Sequence, residues 1–294
     1  MYNAVNHNRC ITLLVVCHTI ALAQPADLSP LLPPASASTH AISQAIQSGQ
    51  ISHAAGLLLK LDPLARNLWQ GILAITQNDA NGAVRTLRKV DYPKVLGVAY
   101  YLAGQHILFR EQMGEAIRRD PTDFGPYYYL GRHYDSDVDN LPEAVRWLRL
   151  ALERNEAHAP THSHLGNCLE RLGRTSEAES EYNASLNLAQ SHVGLARLRL
   201  AAGDARSALT FIQKAIALDS SDVTALKVAA RVHDKLNRPR DSIVALELAQ
   251  VLAPRDASIR YQLAREYKSV GDAAKSAAAL REFERLRAIY GSNP

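Results

Sequence analysis

Apolar and small side chains recur in one fixed order from about residue 90 onward. Leu96 and Gly97 are followed by Tyr100, Gly104, Ala116 and Pro121. Leu165 and Gly166 are followed by Leu169, Gly173, Ala178, Tyr182 and Leu186, and Leu195 and Ala196 by Gly203, Ala208, Ile212 and Ala215. A period of about 34 residues predicts stacked copies of one supersecondary unit. Within each copy, apolar residues at i, i+4 and i+7 describe a helix with one buried stripe. Gly104, Gly173, Gly203 and Gly271 separate two such stripes and read as hairpin turns, where positive φ costs glycine nothing. The small residue after the first Leu lets the partner helix approach closely. Pro121 and Pro254 end their helices. A hairpin of this kind cannot bury its apolar face alone, so the fold class is all-α, an α-solenoid of stacked antiparallel helix hairpins.

The order of Leu-Gly, Tyr, Gly, Ala, an apolar residue, Ala and Pro resembles the tetratricopeptide repeat family. The resemblance implies a right-handed superhelix over residues 40–290, in units of about 40–63, 64–89, 90–123, 124–158, 159–188, 189–222, 223–256 and 257–290. The first two units are the most degraded. The aromatic that opens the first helix is kept only as Tyr127, and the unit at 124–158 carries a polar insertion around Asp135 to Asn140. The unit at 159–188 is about four residues short, so the pitch is expected to change there.

The N-terminus reads as an export signal over residues 1–23. Arg9 precedes an apolar run from Ile11 to Ile20, and Ala21-Leu22-Ala23 is a small-x-small cleavage site. The run is short for a bilayer span, so the expected product is periplasmic or secreted, with no stable membrane span after cleavage; an uncleaved anchor helix is the alternative. Neither Cys10 nor Cys17 stands where a lipoprotein needs its cysteine. Residues 24–39, with Pro25, Pro30, Pro33 and Pro34 among Ala and Ser, read as a flexible linker, and 291–294 as a tail.

Charge excludes one class of partner. The 33 basic and 29 acidic residues give a net charge of +4. Signal removal deletes Arg9 and no carboxylate, leaving +3. That near-balance makes no case for nucleic acid. The processed chain would keep only Cys168, so no internal disulfide holds it, and Cys168 reads as a core thiol.

Catalytic motifs are missing. No Gly-x-Gly-x-x-Gly, phosphate loop, Gly-x-Ser-x-Gly, His-Glu-x-x-His or Cys-x-x-Cys occurs. An improvised site would have His133, His162, His164 and Glu170 to draw on. His158, His162, His164 and Cys168 have ligand-like spacing, but solvated or capping histidines fit the same residues, and neither metal nor cofactor is expected. Asn183-Ala184-Ser185 matches a glycosylation sequon but falls mid-helix in the expected register.

Charge carried in register is the stronger signal. The residue after the close-contact small residue is Arg132, Asn167, Arg197, Arg231 and Arg265 in five successive units. In the resembled family that position faces a concave groove where partner peptides are held. Lys94, Lys227 and Lys268 add positive charge, and Tyr128 and Tyr261 add flat stacking surfaces. Such a groove suits an acidic or C-terminal peptide segment held by charge-assisted forks. An anionic envelope polysaccharide or lipid headgroup is the alternative ligand. Asp135 and Asp234, three residues past Arg132 and Arg231, could pair with them on the helix surface. Arg197 and Arg265 have no such neighbour and are the expected anchors.

Overall fold

Sixteen α-helices, with no strand, make up the described residues of a computed structural model, which cover 30–33, 37–135 and 138–290. The chain divides into two compact units, Met1–Thr161 and His162–Pro294. The first contains α1 (Ala37–Gln47), α2 (Ile51–Leu58), α3 (Pro63–Thr76), α4 (Ala80–Leu87), α5 (Pro93–Leu102), α6 (His106–Arg119), α7 (Phe124–Asp135) and α8 (Leu141–Leu152). After α9 (Ala159–Arg171), the second continues with α10 (Thr175–Asn183), α11 (Ala189–Ala201), α12 (Ala205–Leu218), α13 (Val223–Lys235), α14 (Pro239–Leu252), α15 (Ala257–Ser269) and α16 (Ala273–Tyr290). Each odd-numbered helix and its successor form a hairpin.

Local chemistry sets the helix ends. Asp62, Asp79, Asp204, Asp222 and Asp256 each accept from a first-turn backbone N–H, satisfying donors the helix itself cannot. Gly104, Gly173, Gly203 and Gly271 adopt φ of 71°, 74°, 80° and 81° in their turns, as the sequence predicts. The α3–α4 and α13–α14 hairpins lack glycine there, and Asn78 and Asn237 take the left-handed conformation instead, at φ of 59° and 56°.

The small residues of the register mark close helix approach. A Cβ on Gly97 would lie 2.4 Å from the Met113 methyl, and one on Gly131 would lie 2.6 Å from Leu148 Cγ. In the second unit, Val193, Ala196, Ala208, Ile212, Ala225, Val228 and Val232 form one cluster. Leu226, Ala230, Leu246, Ile259, Leu263 and Ala279 form the next. Both draw on α13, so the apolar face of one hairpin is buried by its neighbours.

Two expectations need adjusting, and the polar insertion takes a definite form. Part of the stretch read as a flexible linker is packed: Leu31 is 1% exposed, the Pro30 carbonyl lies 2.4 Å from where a Gly125 Cβ would sit, and α1 opens at Ala37. The insertion after Asp135 continues as a 3-10 turn, Val138–Asn140, that delivers a fully buried Leu141 to α8. Asn183 closes α10 rather than lying mid-helix. The signal and tail readings, 1–23 and 291–294, fall outside the described residues. Among the described residues, no helix is long and apolar enough to cross a membrane.

Candidate interaction surface

The cationic register divides into side chains consumed by the fold and side chains left in solvent. Lys94 is buried and its ammonium sits 2.7 Å from Asp123, whose other oxygen accepts from the Gly125 N–H at the start of α7. Lys227 repeats this arrangement in the second unit, 2.9 Å from Asp256 and 2.8 Å from Ser258 Oγ at the start of α15. In both cases the lysine joins one hairpin to the capped N-terminus of the next. Tyr128 is buried rather than offered as a stacking surface, and its hydroxyl accepts from Arg132 Nη1 at 3.0 Å.

Arg197 is the main correction. Expected to be unpartnered, it forks onto Glu170 of α9, with Nε 2.8 Å from one oxygen and Nη2 2.6 Å from the other. Burial works against its charge, but the bonds to Glu170 and Tyr182 outweigh it and raise the guanidinium pKa. The Tyr182 hydroxyl donates to Glu170 at 2.7 Å, and burial pushes its own pKa well above the usual phenol range. Sequence proximity along α11 could not reveal this pairing, because the partner lies 27 residues back on the preceding hairpin. The lysine pairs had a readable signal, since both recur at a spacing of 29 residues.

What remains in solvent lies mostly on α13 and α15. Tyr261, Arg265 and Lys268 sit at i, i+4 and i+7 of α15 and are all exposed. Arg231 is exposed at the equivalent register position of α13, and Asn167 is half-buried on α9. The expected surface pairing of Arg231 with Asp234 does not form: among the described residues, Arg231, Arg265 and Lys268 make no ion pair within 4 Å. The Tyr261 ring rests 5.3 Å from Phe283 of α16, which fixes the position of its outer face.

The histidines with ligand-like spacing each have local business. His158 is buried with Nδ1 2.6 Å from Thr161 Oγ1, and His162 Nδ1 lies 2.6 Å from Glu181. Cys168 is fully buried, and no group of three His, Cys, Asp or Glu able to hold a metal occurs among the described residues. Glu170 is committed to Arg197 and Tyr182, and His133 packs among aromatic rings.

The tetratricopeptide repeat family model matches residues 159–192. The chain is 32% identical over 96 residues to human (Homo sapiens) protein O-mannosyl-transferase TMTC2, covering 32% of this chain and 11% of that protein. It is 25% identical over 195 residues to anaphase-promoting complex subunit 3 of Schizosaccharomyces pombe, covering 64% and 28%. It therefore spans less than a third of the length of either relative. Among solved structures, pilF of Pseudomonas aeruginosa superposes with a TM-score of 0.60 at 16% identity, over 69% of this chain and 92% of that one. The structure of the anaphase-promoting complex hetero-tetramer Cut9–Hcn1 gives 0.59 at 15% identity, over 81% and 50%. At those identities the likeness is one of fold.

Proposed function

We propose that the chain, whose residues 159–192 match the tetratricopeptide repeat family model, is a non-enzymatic interaction scaffold whose second unit holds an acidic or C-terminal peptide segment against α13 and α15. Proteins of this fold serve as protein-binding scaffolds. The observation that carries the finer reading is the exposed row Tyr261, Arg265 and Lys268 on α15 with Arg231 on α13, with no ion pair among the described residues to consume the three cations. Guanidinium forks suit carboxylate geometry, and an adjacent phenol ring gives an extended segment a flat surface to lie on. Asn167 can add a hydrogen bond at the α9 end of the same unit. Lys94, Tyr128, Arg132, Arg197 and Lys227 leave the proposed contact set because the fold already uses them.

The test is fluorescence anisotropy of a labelled Glu-rich peptide with a free C-terminal carboxylate, alongside its amidated form and a neutral peptide. Binding of the acidic peptide, weakened about tenfold or more by Arg265→Glu and by Arg231→Glu, supports the reading. Unchanged affinity in both variants sinks it. Displacement of peptide by dextran sulfate with no preference among peptides would move the ligand to the anionic polysaccharide class. Export is a companion proposal, motivated by Arg9, the run Ile11 to Ile20 and the Ala21-Leu22-Ala23 site. A mass beginning at Gln24 for the chain recovered from the cell envelope would support it, and an intact cytoplasmic chain would end it.

A further inference from the structure

The outward face of α14 differs from that of its neighbours at identical positions. Helices α12, α14 and α16 begin at Ala205, Pro239 and Ala273, in strict register. The outward positions of α12 carry Thr210, Lys214 and Ala217, and those of α16 carry Ala278, Glu282 and Arg285. In α14 the same positions are Val244, Leu248 and Val251; Leu252 beside them is not distinctive, since α12 carries exposed Leu218 and α16 buried Leu286 at that position. The four α14 residues are 65%, 44%, 74% and 42% exposed. A single surface leucine is ordinary, but an i, i+4, i+7, i+8 row on the side facing away from the hairpin stack is a second apolar stripe on one helix. The inner stripe of α14 is already satisfied by Leu246 and Ala249 in the core.

Charge at the two ends of the outward stripe selects what covers it. Asp241 lies seven residues before Leu248, and Arg255 seven residues after it, just past the helix end. Both side chains reach solvent. Asp241 is 58% exposed at 3.9 Å from His233, and the Arg255 guanidinium lies 5.4 Å from the exposed Tyr290 ring. Val244 and Leu252 lie four residues on either side of Leu248. We propose that this face seats a second copy of the chain, the two α14 helices packing antiparallel about a two-fold axis at Leu248. That axis sets each Asp241 opposite the second copy's Arg255, each Val244 opposite a Leu252, and Leu248 opposite itself. A parallel pairing would set Asp241 against Asp241, so the charges fix the orientation while the apolar row supplies the association. The stripe is one helix long, so the dimer is a weak one that forms in the micromolar range.

Sedimentation velocity on the full chain, from low to high micromolar concentration, tests this. The expected result is a concentration-dependent shift from monomer to dimer. Leu248→Glu places two carboxylates on the axis and should leave only monomer, with its melting temperature unchanged because the residue is exposed. Asp241→Arg alone should weaken the dimer about tenfold, and Asp241→Arg combined with Arg255→Asp should restore it. Arg265→Glu, on the proposed peptide face, should leave the dimer intact, so the two proposals fail separately. A chain that stays monomeric throughout overturns this inference, even if the stripe proves to bind lipid vesicles or another protein. A dimer that survives Leu248→Glu, or a charge reversal that restores nothing, overturns it equally.

Discussion

Arg197 and Glu170 form a two-point fork between successive hairpins, with contacts of 2.8 and 2.6 Å. Tyr182 closes it from beneath: its ring lies where Cβ atoms on Gly166 and Gly194 would be, and its hydroxyl touches both partners. The guanidinium is therefore part of the stacking, with about a quarter of its side chain exposed.

Removing one member of this fork should cost stability, not ligand affinity. Deleting one partner of a fully buried ion pair costs roughly 3–5 kcal/mol, and partial exposure brings Arg197→Ala to about 2 kcal/mol. Glu170→Ala should cost about the same, with the double variant well short of the sum because the interaction is lost only once. Arg265→Ala, exposed and unpaired, should stay within about 0.5 kcal/mol. Thermal melts followed by circular dichroism check all four. Equal melting temperatures for Arg197→Ala and Arg265→Ala would show that the fork contributes nothing.

Gly194→Ala should be among the costlier single-atom additions to this chain. The new Cβ would lie 2.2 Å from Tyr182 Cζ, and the ring is held in place at its hydroxyl by Glu170 and Arg197. Overpacking of this kind costs roughly 1–3 kcal/mol. Gly114→Ala is the contrasting case. Its Cβ would meet only Arg118 Nη1 at 3.7 Å in the interior of α6, so better helix propensity should stabilise by about 0.5–1 kcal/mol. Urea midpoints of the two variants should move in opposite directions.

The hairpins were legible because their signals are local. Gly104, Gly173, Gly203 and Gly271 sit within a few residues of the helices they separate, and the small residue of each first helix names its own partner. Asn78 and Asn237 were missed because asparagine reaches positive φ less cheaply than glycine and is common elsewhere. The candidate site was legible as a register but not as an electrostatic surface. Whether a cation is free depends on residues one hairpin away, such as Glu170 for Arg197 and Asp256 for Lys227. A single repeat does not contain that information. The α14 stripe was hidden by the opposite problem, since Val244 and Leu248 look like any core pair until their direction is known.

Asp256 should prove more costly to remove than the lysine it holds. It caps α15 through the Ser258 N–H and also accepts from Lys227, so Asp256→Ala should lose about 1–2 kcal/mol. Lys227→Met keeps the aliphatic stem and should lose less. Burial pushes the Asp256 carboxyl pKa up, but the bonds from Ser258 and Lys227 outweigh it and hold the pKa below the usual value. A depressed carboxylate stabilises fully above its unfolded pKa of about 4 and loses that contribution as pH falls through the lower folded value. Chemical denaturation at neutral and acid pH should show Asp256→Asn with a shallower acid loss than the wild type.

His133 should make the first unit sensitive to mild acid. Its ring packs 5.1 Å from Phe109, 5.3 Å from His106, 5.7 Å from Tyr101 and 5.0 Å from Tyr134. Burial, then the neighbouring His106 and Arg110, bring its pKa down from 6.5 to about 4. Arg132 and Asp135, on the same helix, also act on Tyr101, Arg132 lowering and Asp135 raising its pKa. Between those two pKa values the unfolded chain takes up a proton that the folded chain refuses, so stability must fall as pH drops through that window and level off above it. Burial also lowers the pKa of His192 and His233, which add to the slope without sharing this cluster. Urea midpoints near neutrality and at about pH 5 give the measurement. His133→Phe keeps an aromatic ring in place, so the gap between the two midpoints should shrink. A gap as wide as the wild type's would assign the acid sensitivity to the other histidines.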